Sequence, residues 1–174
     1  MRTFLTITIT LGLFAVPSTA QPPAIKPGPE HAFLKEGEGV WDATAKSMDK
    51  ESKGTLSCKG ALNGLWVLEH YQGEAAGVAF EGRGATSYDP AKKKFVNVWI
   101  DSMVTSPMVS EGTYDKEKKI LTLLGNMPMP DGKSMKTTIT IAYKDANTKV
   151  LSLKGNMDGK EFEMVEITYK RRAK

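Results

Sequence analysis

Short runs in which apolar and polar residues alternate, separated by turn residues, dominate the chain from Val40 onward. A two-residue period is that of a strand with one buried face, and no apolar set at helical spacing extends over a dozen residues. Only one short helical segment is predicted, at residues 31–35, where Phe33 and Leu34 would plug one end of a core. The alternation predicts ten strands, at residues 40–48, 54–62, 65–72, 79–88, 94–103, 109–114, 119–125, 135–143, 150–155 and 161–170.

The connections between these strands are short and rich in turn residues, such as Asn63-Gly64, Asp131-Gly132 and Asp158-Gly159. Connections of this length join antiparallel neighbours, since a parallel crossover needs a dozen or more residues. The chain is therefore predicted to be an all-β, up-and-down meander. Closure into a barrel would remove the two exposed edges of such a sheet. An open, strongly curved sheet around the N-terminal helical turn is the alternative.

The first twenty residues differ in kind from the rest. Arg2 precedes an uncharged apolar run from Phe4 to Val16, and the small residues Ser18 and Ala20 follow it. This pattern predicts a signal peptide over residues 1–20 that is cleaved after Ala20. The alternative is a membrane anchor, but the run is shorter than the roughly 20 residues that span a bilayer. We expect an exported protein, periplasmic or secreted, with no integral membrane segment after cleavage.

A proline-rich linker is predicted at residues 21–29 and a single domain at residues 30–174. The 174 residues include one cysteine, so no internal disulfide is available. The net charge of +4 is mild, and no stacking aromatics accompany the lysine runs, so nucleic acid is not an expected partner.

Residues for metal or catalytic chemistry are few. Two histidines and one cysteine give no metal-ligand spacing, and no histidine follows His70 as a candidate haem ligand, so no metal or cofactor is predicted. Ser102, His70 and Asp101 are the residue types of a hydrolytic triad, but the sequence around Ser102 lacks a nucleophile turn. A hydrolase or isomerase at the barrel mouth is therefore the weakest of three functional hypotheses, and no catalytic residue is assigned.

The strand at residues 94–103 favours a binding function. Trp99 and Asp101 share one of its faces, and aromatic walls with a few fixed polar groups are typical of small-molecule sites. We predict a ligand site formed by Trp99 and Asp101 together with Glu69, Tyr71 and Glu166. The alternative is a filled core in which Asp101 satisfies backbone groups at the strand end. A ligand-free envelope interaction module would instead expose an apolar face on this strand.

Two resemblances follow from particular motifs. Gly39-Val40-Trp41 at the first strand and Lys170-Arg171-Arg172 at the last resemble the calycin superfamily of lipocalins and fatty-acid-binding proteins. That resemblance implies a calycin-like barrel whose structural signature is Gly39, Trp41 and Arg171, with the tryptophan at the closed end beneath a basic side chain. It also implies that a small, largely apolar ligand binds in the lumen.

The second resemblance covers essentially the whole predicted domain. Four segments of the sequence resemble those of a bacterial family, domain-of-unknown-function family 1579. That family implies no established catalytic residues. The segments are Leu62-Asn63-Gly64, Gly82 to Asp89, Trp99 to Ser102, and Asp158 to Arg171.

Overall fold

The computed structural model describes residues 25–48, 50–129 and 131–173 of the chain. The predicted signal peptide, residues 1–20, and residues 21–24 of the predicted linker lie outside this described part. The cleavage and export predictions therefore stay predictions. Within the described part, no helix is both long enough and apolar enough to span a membrane.

The described chain forms one α-helix, one 3-10 turn and ten strands. The helix α1 spans Pro29–Glu36, and the 3-10 turn spans Leu62–Gly64 between the second and third strands. The strands are β1 Gly39–Ser47, β2 Lys50–Ala61, β3 Trp66–Ala75, β4 Val78–Asp89, β5 Lys94–Asp101, β6 Met108–Asp115, β7 Ile120–Pro128, β8 Ser134–Asp145, β9 Thr148–Met157 and β10 Lys160–Arg171.

Each strand pairs antiparallel with its neighbours in the chain, and β1 pairs with β10 to close the barrel. At that closure Trp41 lies opposite Arg171 and Ala45 lies opposite Ile167. The predicted all-β, ten-strand meander with its short N-terminal helix is confirmed, and the barrel is closed rather than an open curved sheet. Closure leaves no unpaired strand edge, which is the physical reason for expecting it.

Several strands are longer than predicted, because their connections are tighter than the turn residues suggested. β2 begins at Lys50, directly after the turn that follows β1. Ala76 and Gly77 alone join β3 to β4, with φ angles of 54° and 85°. Two successive positive φ angles are those of a type I′ hairpin, whose twist matches the flanking strands. Alanine is not an expected residue for that conformation, so the sequence pattern missed the turn's true position.

One end of the barrel is closed by α1, as the predicted plug requires. Phe33 stacks on Tyr114 with ring centroids 3.7 Å apart, and it meets the edges of Phe95 and Tyr143 at 5.6 and 5.1 Å. Phe33 and Leu34 are both buried. Aromatic contacts of this kind add to the free energy gained by burying the rings. The helix is therefore held in place by the barrel's own inward side chains.

Trp41 and Arg171 complete this closed end. The Trp41 side chain is 1% exposed, and the guanidinium carbon of Arg171 lies 4.1 Å from the centre of its ring. Arg171 also donates hydrogen bonds to the backbone carbonyls of Glu36, Glu38 and Ala146. These contacts tie the last strand to the end of α1 and to the connection between β8 and β9.

Gly39 allows this contact to form. Its φ of +130° is one that L side chains rarely adopt, and a Cβ there would lie 2.8 Å from Nη1 of Arg171. Gly39, Trp41 and Arg171 thus meet at the closed end, where the tryptophan ring lies beneath the guanidinium group of the last strand.

Candidate functional site: the cavity inside the barrel

A cavity of about 970 Å³ occupies the barrel between the plug and the opposite end, which we call the mouth. The mouth is formed by the turns after β1, β3, β5, β7 and β9. An eight-stranded barrel is just wide enough for side chains to fill it or to hold one small ligand, and ten strands enclose a wider interior. Most of the cavity wall is apolar; it includes Leu56, Val67, Phe80, Leu121, Leu123, Ile139, Ile141, Leu151, Leu153, Val165 and Ile167.

The strand β5 turns the face with Trp99 and Asp101 toward this cavity. Trp99 lies over Gly82 and Gly84 of the neighbouring strand. A Cβ at Gly82 would clash with its ring, and a Cβ at Gly84 would clash with Glu69 and lie 3.0 Å from the ring. These two glycines belong to the Gly-x-Gly motif in the sequence. The motif therefore serves to let the indole lie flat on β4 and form part of the cavity wall.

Asp101 has two roles that the sequence analysis treated as alternatives. It lines the cavity at the mouth. Its Oδ2 accepts a hydrogen bond from the indole Nε1 of Trp99 at 3.1 Å, and its Oδ1 accepts one from the backbone N–H of Met103 at 2.8 Å. Both carboxylate oxygens thus have partners. Asp101 fixes the orientation of Trp99 and the start of the loop after β5.

A polar cluster lies deeper, on the inner faces of β3, β4 and β5. Glu69 Oε2 accepts hydrogen bonds from Thr86 Oγ1 at 3.2 Å and from Asn97 Nδ2 at 3.3 Å, and Asn97 also donates to Thr86 at 2.9 Å. Burial raises the pKa of the Glu69 carboxyl, while the positive charge of Lys149 and these hydrogen bonds act in the opposite direction. The surface that Glu69 keeps exposed faces the cavity.

Lys149 is a buried cation that the sequence analysis missed. Its side chain is only 4% exposed and borders the cavity. Its Nζ lies 4.5 Å from the centre of the Trp41 ring, 5.3 Å from that of Tyr169 and 3.9 Å from Cys58 Sγ. The predicted strand began at residue 150 and so left Lys149 in a turn. Its alternation with the inward-facing Leu151 and Leu153 was the signal that could have found it.

Four further ionisable side chains on the cavity wall, Cys58, Tyr71, Tyr143 and Tyr169, are kept in their neutral forms by burial. Burial raises the pKa of Cys58 to about 12, so this residue is a thiol rather than a thiolate. Burial likewise raises the pKa values of the hydroxyl groups of Tyr71, Tyr143 and Tyr169. These groups can donate hydrogen bonds but are not poised as nucleophiles or bases.

Four of the five residues predicted for a ligand site come together: Trp99, Asp101, Glu69 and Tyr71 all line the cavity. Glu166 does not line it and instead lies opposite Lys46 and Ser152. This placement corrects the prediction.

A β-bulge in β10 is the reason. Phe162 lies opposite Gly155 and Val165 opposite Leu153, so a three-residue step on β10 matches a two-residue step on β9. The extra residue reverses the alternation beyond the bulge and places Glu166 on the other face.

The residues of the conceivable hydrolytic triad are not assembled. His70 Nε2 lies 2.9 Å from Glu81 Oε1, and Ser102 Oγ accepts a hydrogen bond from the backbone N–H of Glu81. Asp101 faces the cavity and is bonded to Trp99. In the described ranges, no group of three or more His, Cys, Asp or Glu side chains is placed to hold a metal ion.

Comparison with known proteins identifies the family. A family described as "Protein of unknown function (DUF1579)" matches residues 26–171, and the chain belongs to this family. No curated protein matches the chain.

Solved structures match the fold at low sequence identity. The S-type phycobiliprotein lyase CPES from Guillardia theta is 9% identical, with a TM-score of 0.54 over 83% of this chain and 93% of the other. A de novo designed fluorescence-activating β-barrel is 15% identical, with a TM-score of 0.45 over 80% of this chain and 96% of the other. The first of these matches supports the barrel fold, and the second is too distant to add to it.

Proposed function

We propose that this member of the DUF1579 family is an exported β-barrel that binds a small, largely apolar ligand in its lumen. The observation that carries the proposal is the cavity of about 970 Å³, which lies at the upper end of the usual volume of ligand sites. Its apolar wall would supply affinity through burial of ligand surface. The few inward polar groups would supply orientation. The predicted signal peptide supports export.

A relationship to the calycins is part of this proposal. The contact of Arg171 with Trp41 at the closed end, next to a short helix, supports it. In this arrangement the closed end holds the barrel together, and the mouth is the entrance for the ligand. Trp99 and Asp101 lie at that entrance, joined by the hydrogen bond between the indole and the carboxylate.

Titration with a neutral apolar probe tests the proposal. N-phenyl-1-naphthylamine fluoresces when it leaves water, and we expect saturable binding with one site per chain. Ala45 is buried and borders the cavity, so Ala45→Phe should fill part of it and weaken binding by about tenfold, which corresponds to ~1.4 kcal/mol. Ala79→Phe, at an exposed position on β4, is the matched control and should leave the affinity within about twofold.

Two results would refute the proposal. One is a folded wild-type protein, verified by circular dichroism, that gives no probe fluorescence. The other is equal weakening by the two phenylalanine substitutions, because the probe would then bind outside the lumen.

A second candidate function is a protein-interaction module, and a separate observation favours it. Leu68, Val98 and Val109 lie in register across β3, β5 and β6, with Ala85 of β4 between the first two. Leu68 and Val109 are 46% and 48% exposed, and Ile100 nearby is 52% exposed. Contiguous exposed apolar surface of this kind is typical of contact sites. Cross-linking of the exported protein in its host would capture a partner that Leu68→Glu abolishes; a monomer with no captured partner would count against this function.

A further inference from the structure

We propose that the cavity takes an amphipathic anion: an apolar chain or ring system that carries a carboxylate, which Lys149 binds near the closed end. This inference rests on the proposed ligand-binding function and deepens it by naming the chemical class of the ligand. It is carried by the surroundings of the Lys149 ammonium group.

The Lys149 ammonium has more donors than partners. An ammonium carries three N–H donors and no acceptor. Among the residues that the structure describes, the hydrogen bond of Nζ is to a sulfur, Cys58 Sγ, at 3.9 Å. Sulfur is a weak acceptor, and the rings of Trp41 and Tyr169 offer only their faces. A buried cation without an oxygen acceptor is costly, so the site gains most from a ligand that brings one.

The neighbouring carboxyl group of Glu69 does not form a hydrogen bond with Lys149. The positive charge of Lys149 acts to lower the pKa of Glu69, but Glu69 Oε2 accepts its hydrogen bonds from Thr86 and Asn97. Burial also raises the pKa of Glu69, which favours the uncharged acid. The second cation at this end, Arg171, stacks on the same Trp41 ring and adds positive potential. An incoming carboxylate would therefore meet a positive, partly desolvated pocket.

The position of Lys149 fixes the orientation of the ligand. Its contacts with Trp41 and Tyr169 place the ammonium near the plug, at the end of the cavity away from the mouth. The cavity wall between Lys149 and the mouth includes Leu151 and Leu153 of the same strand, and Met127 and Pro128 at the mouth itself. The carboxylate would lie deep and the apolar part would extend toward the entrance. Glu69, Asn97 and Thr86 would contact further polar atoms of the ligand.

The test compares three compounds with one tail and different head groups. Dodecanoic acid, 1-dodecanol and dodecyltrimethylammonium, each below its micelle concentration or solubility limit, compete with N-phenyl-1-naphthylamine for the wild-type protein at pH 7.5. We expect the acid to displace the probe at a concentration at least about tenfold lower than the alcohol, as a charged hydrogen bond in a buried site predicts. The trimethylammonium compound should be the weakest.

Matched lysine variants locate the effect. Lys149→Met keeps an unbranched side chain one atom shorter than lysine and removes the charge, and it should bring the acid-to-alcohol ratio to about one. Lys149→Arg should retain the preference for the acid. Lys154→Met changes an exposed lysine on the same strand and should leave the ratio unchanged. A preference that persists in Lys149→Met would overturn the assignment of the head-group site.

A spectroscopic measurement on the wild type decides the question if Lys149→Met does not fold. The ¹³C shift of carboxyl-labelled dodecanoic acid, followed over pH, reports the pKa of the bound acid. A neighbouring ammonium should hold that pKa well below the value of the free acid, and an unchanged or raised pKa would contradict the proposal.

Failure of this inference can be distinguished from failure of the proposed function. If the neutral probe and dodecanol bind but the acid has no advantage, the lumen binds ligands without an anion site. If neither the probe nor any of the three compounds binds to the folded protein, ligand binding itself is refuted, and the anion site with it.

Discussion

The closed end and the mouth of this barrel are built from the same ten strands, yet one end is filled and the other encloses a cavity. At the closed end, Phe33 stacks on Tyr114 and the guanidinium group of Arg171 stacks on Trp41. Arg171 also donates a hydrogen bond to the backbone carbonyl of Glu36. Toward the mouth, Trp99 lies against glycines on one side and borders open space on the other. The closed end is tightly packed, whereas the lumen contains the cavity that we propose as a ligand site.

The two regions also differ in the hydrogen-bond partners that they give to their buried cationic side chains. At the closed end, each Arg171 nitrogen donates to a backbone carbonyl, so the guanidinium is held by oxygen acceptors of the protein itself. In the lumen, Lys149 has a thiol sulfur as its hydrogen-bond partner. A fold that needed only stability would satisfy or exclude such a cation. The contrast suggests that stability and binding can be changed separately by substitutions at the two ends.

Substitutions of the two tryptophans should have the largest effects on stability and on probe binding. Trp41→Ala should lower the free energy of unfolding by about 3–5 kcal/mol, because a fully buried ring leaves a cavity behind. Trp99→Ala should cost less stability, since one side of that ring already faces the lumen, but it should weaken probe binding more. Urea unfolding followed by circular dichroism, together with probe titration, measures both. Equal effects of the two substitutions on stability and on probe binding would contradict the difference between the closed end and the mouth.

Arg171→Met should have the next largest effect. It removes three donated hydrogen bonds and the contact with Trp41, and we expect a loss of about 2 kcal/mol in the free energy of unfolding. Arg172→Met is the control: this exposed neighbour pairs with Asp42 on the surface, and its loss should change stability little. Chemical denaturation of both variants decides the point, and equal losses would mean that the contact with Trp41 contributes nothing.

Gly82→Ala should cost about 1–3 kcal/mol through overpacking, because the new Cβ displaces the Trp99 ring. The displaced ring would also move into the lumen, so weaker probe binding should accompany the loss. Near-ultraviolet circular dichroism reports the change in the tryptophan environment. A variant with wild-type stability and affinity would show that Trp99 is not fixed by the glycines.

The smallest effect is a pH dependence at Glu69. Its folded pKa is raised, so the folded state binds its proton more tightly than the unfolded state does. The protonated Glu69 carboxyl contributes its full stabilisation of the folded state below the ordinary pKa of about 4.5. This stabilisation is lost as pH rises through the higher pKa of Glu69 in the folded state. Glu69→Gln lacks this loss and should gain stability relative to the wild type as pH rises through that window.

The nearby titratable groups do not obscure this measurement. Burial raises the pKa values of Cys58, Tyr143 and Tyr169, so none of them titrates in the acid window. Thermal unfolding from pH 4 to 8 is the measurement, with Glu74→Gln as an exposed control on the same strand. A gap between wild type and Glu69→Gln that does not change with pH would contradict the account.

The sequence was informative where local patterns determine structure. Strand alternation and short turns were sufficient to predict ten antiparallel strands, closure and the plug that contains Phe33. Alternation also placed Trp99 and Asp101 on one face, although it could not say that this face is the lumen. The orientation depends on which face of the curved sheet becomes the inside of the barrel. Strand spacing alone does not determine that face.

Two features of the site could not be predicted, for different physical reasons. The bulge in β10 reverses the face on which Glu166 lies, and an inserted residue leaves no mark in an otherwise regular alternation. Lys149 looked like a turn lysine because the strand begins earlier than its apolar residues do. Buried charges contradict the apolar pattern that identifies strands, so a buried lysine in a lumen is easily assigned to a loop.

A crystal structure of the protein with dodecanoic acid tests the central claim most directly. We expect the acid inside the barrel, with a carboxylate oxygen within hydrogen-bonding distance of Lys149 Nζ and the alkyl chain running along Leu151 and Leu153 toward the mouth. A lumen filled by rearranged side chains, or the acid bound only on the outer surface, would contradict the account.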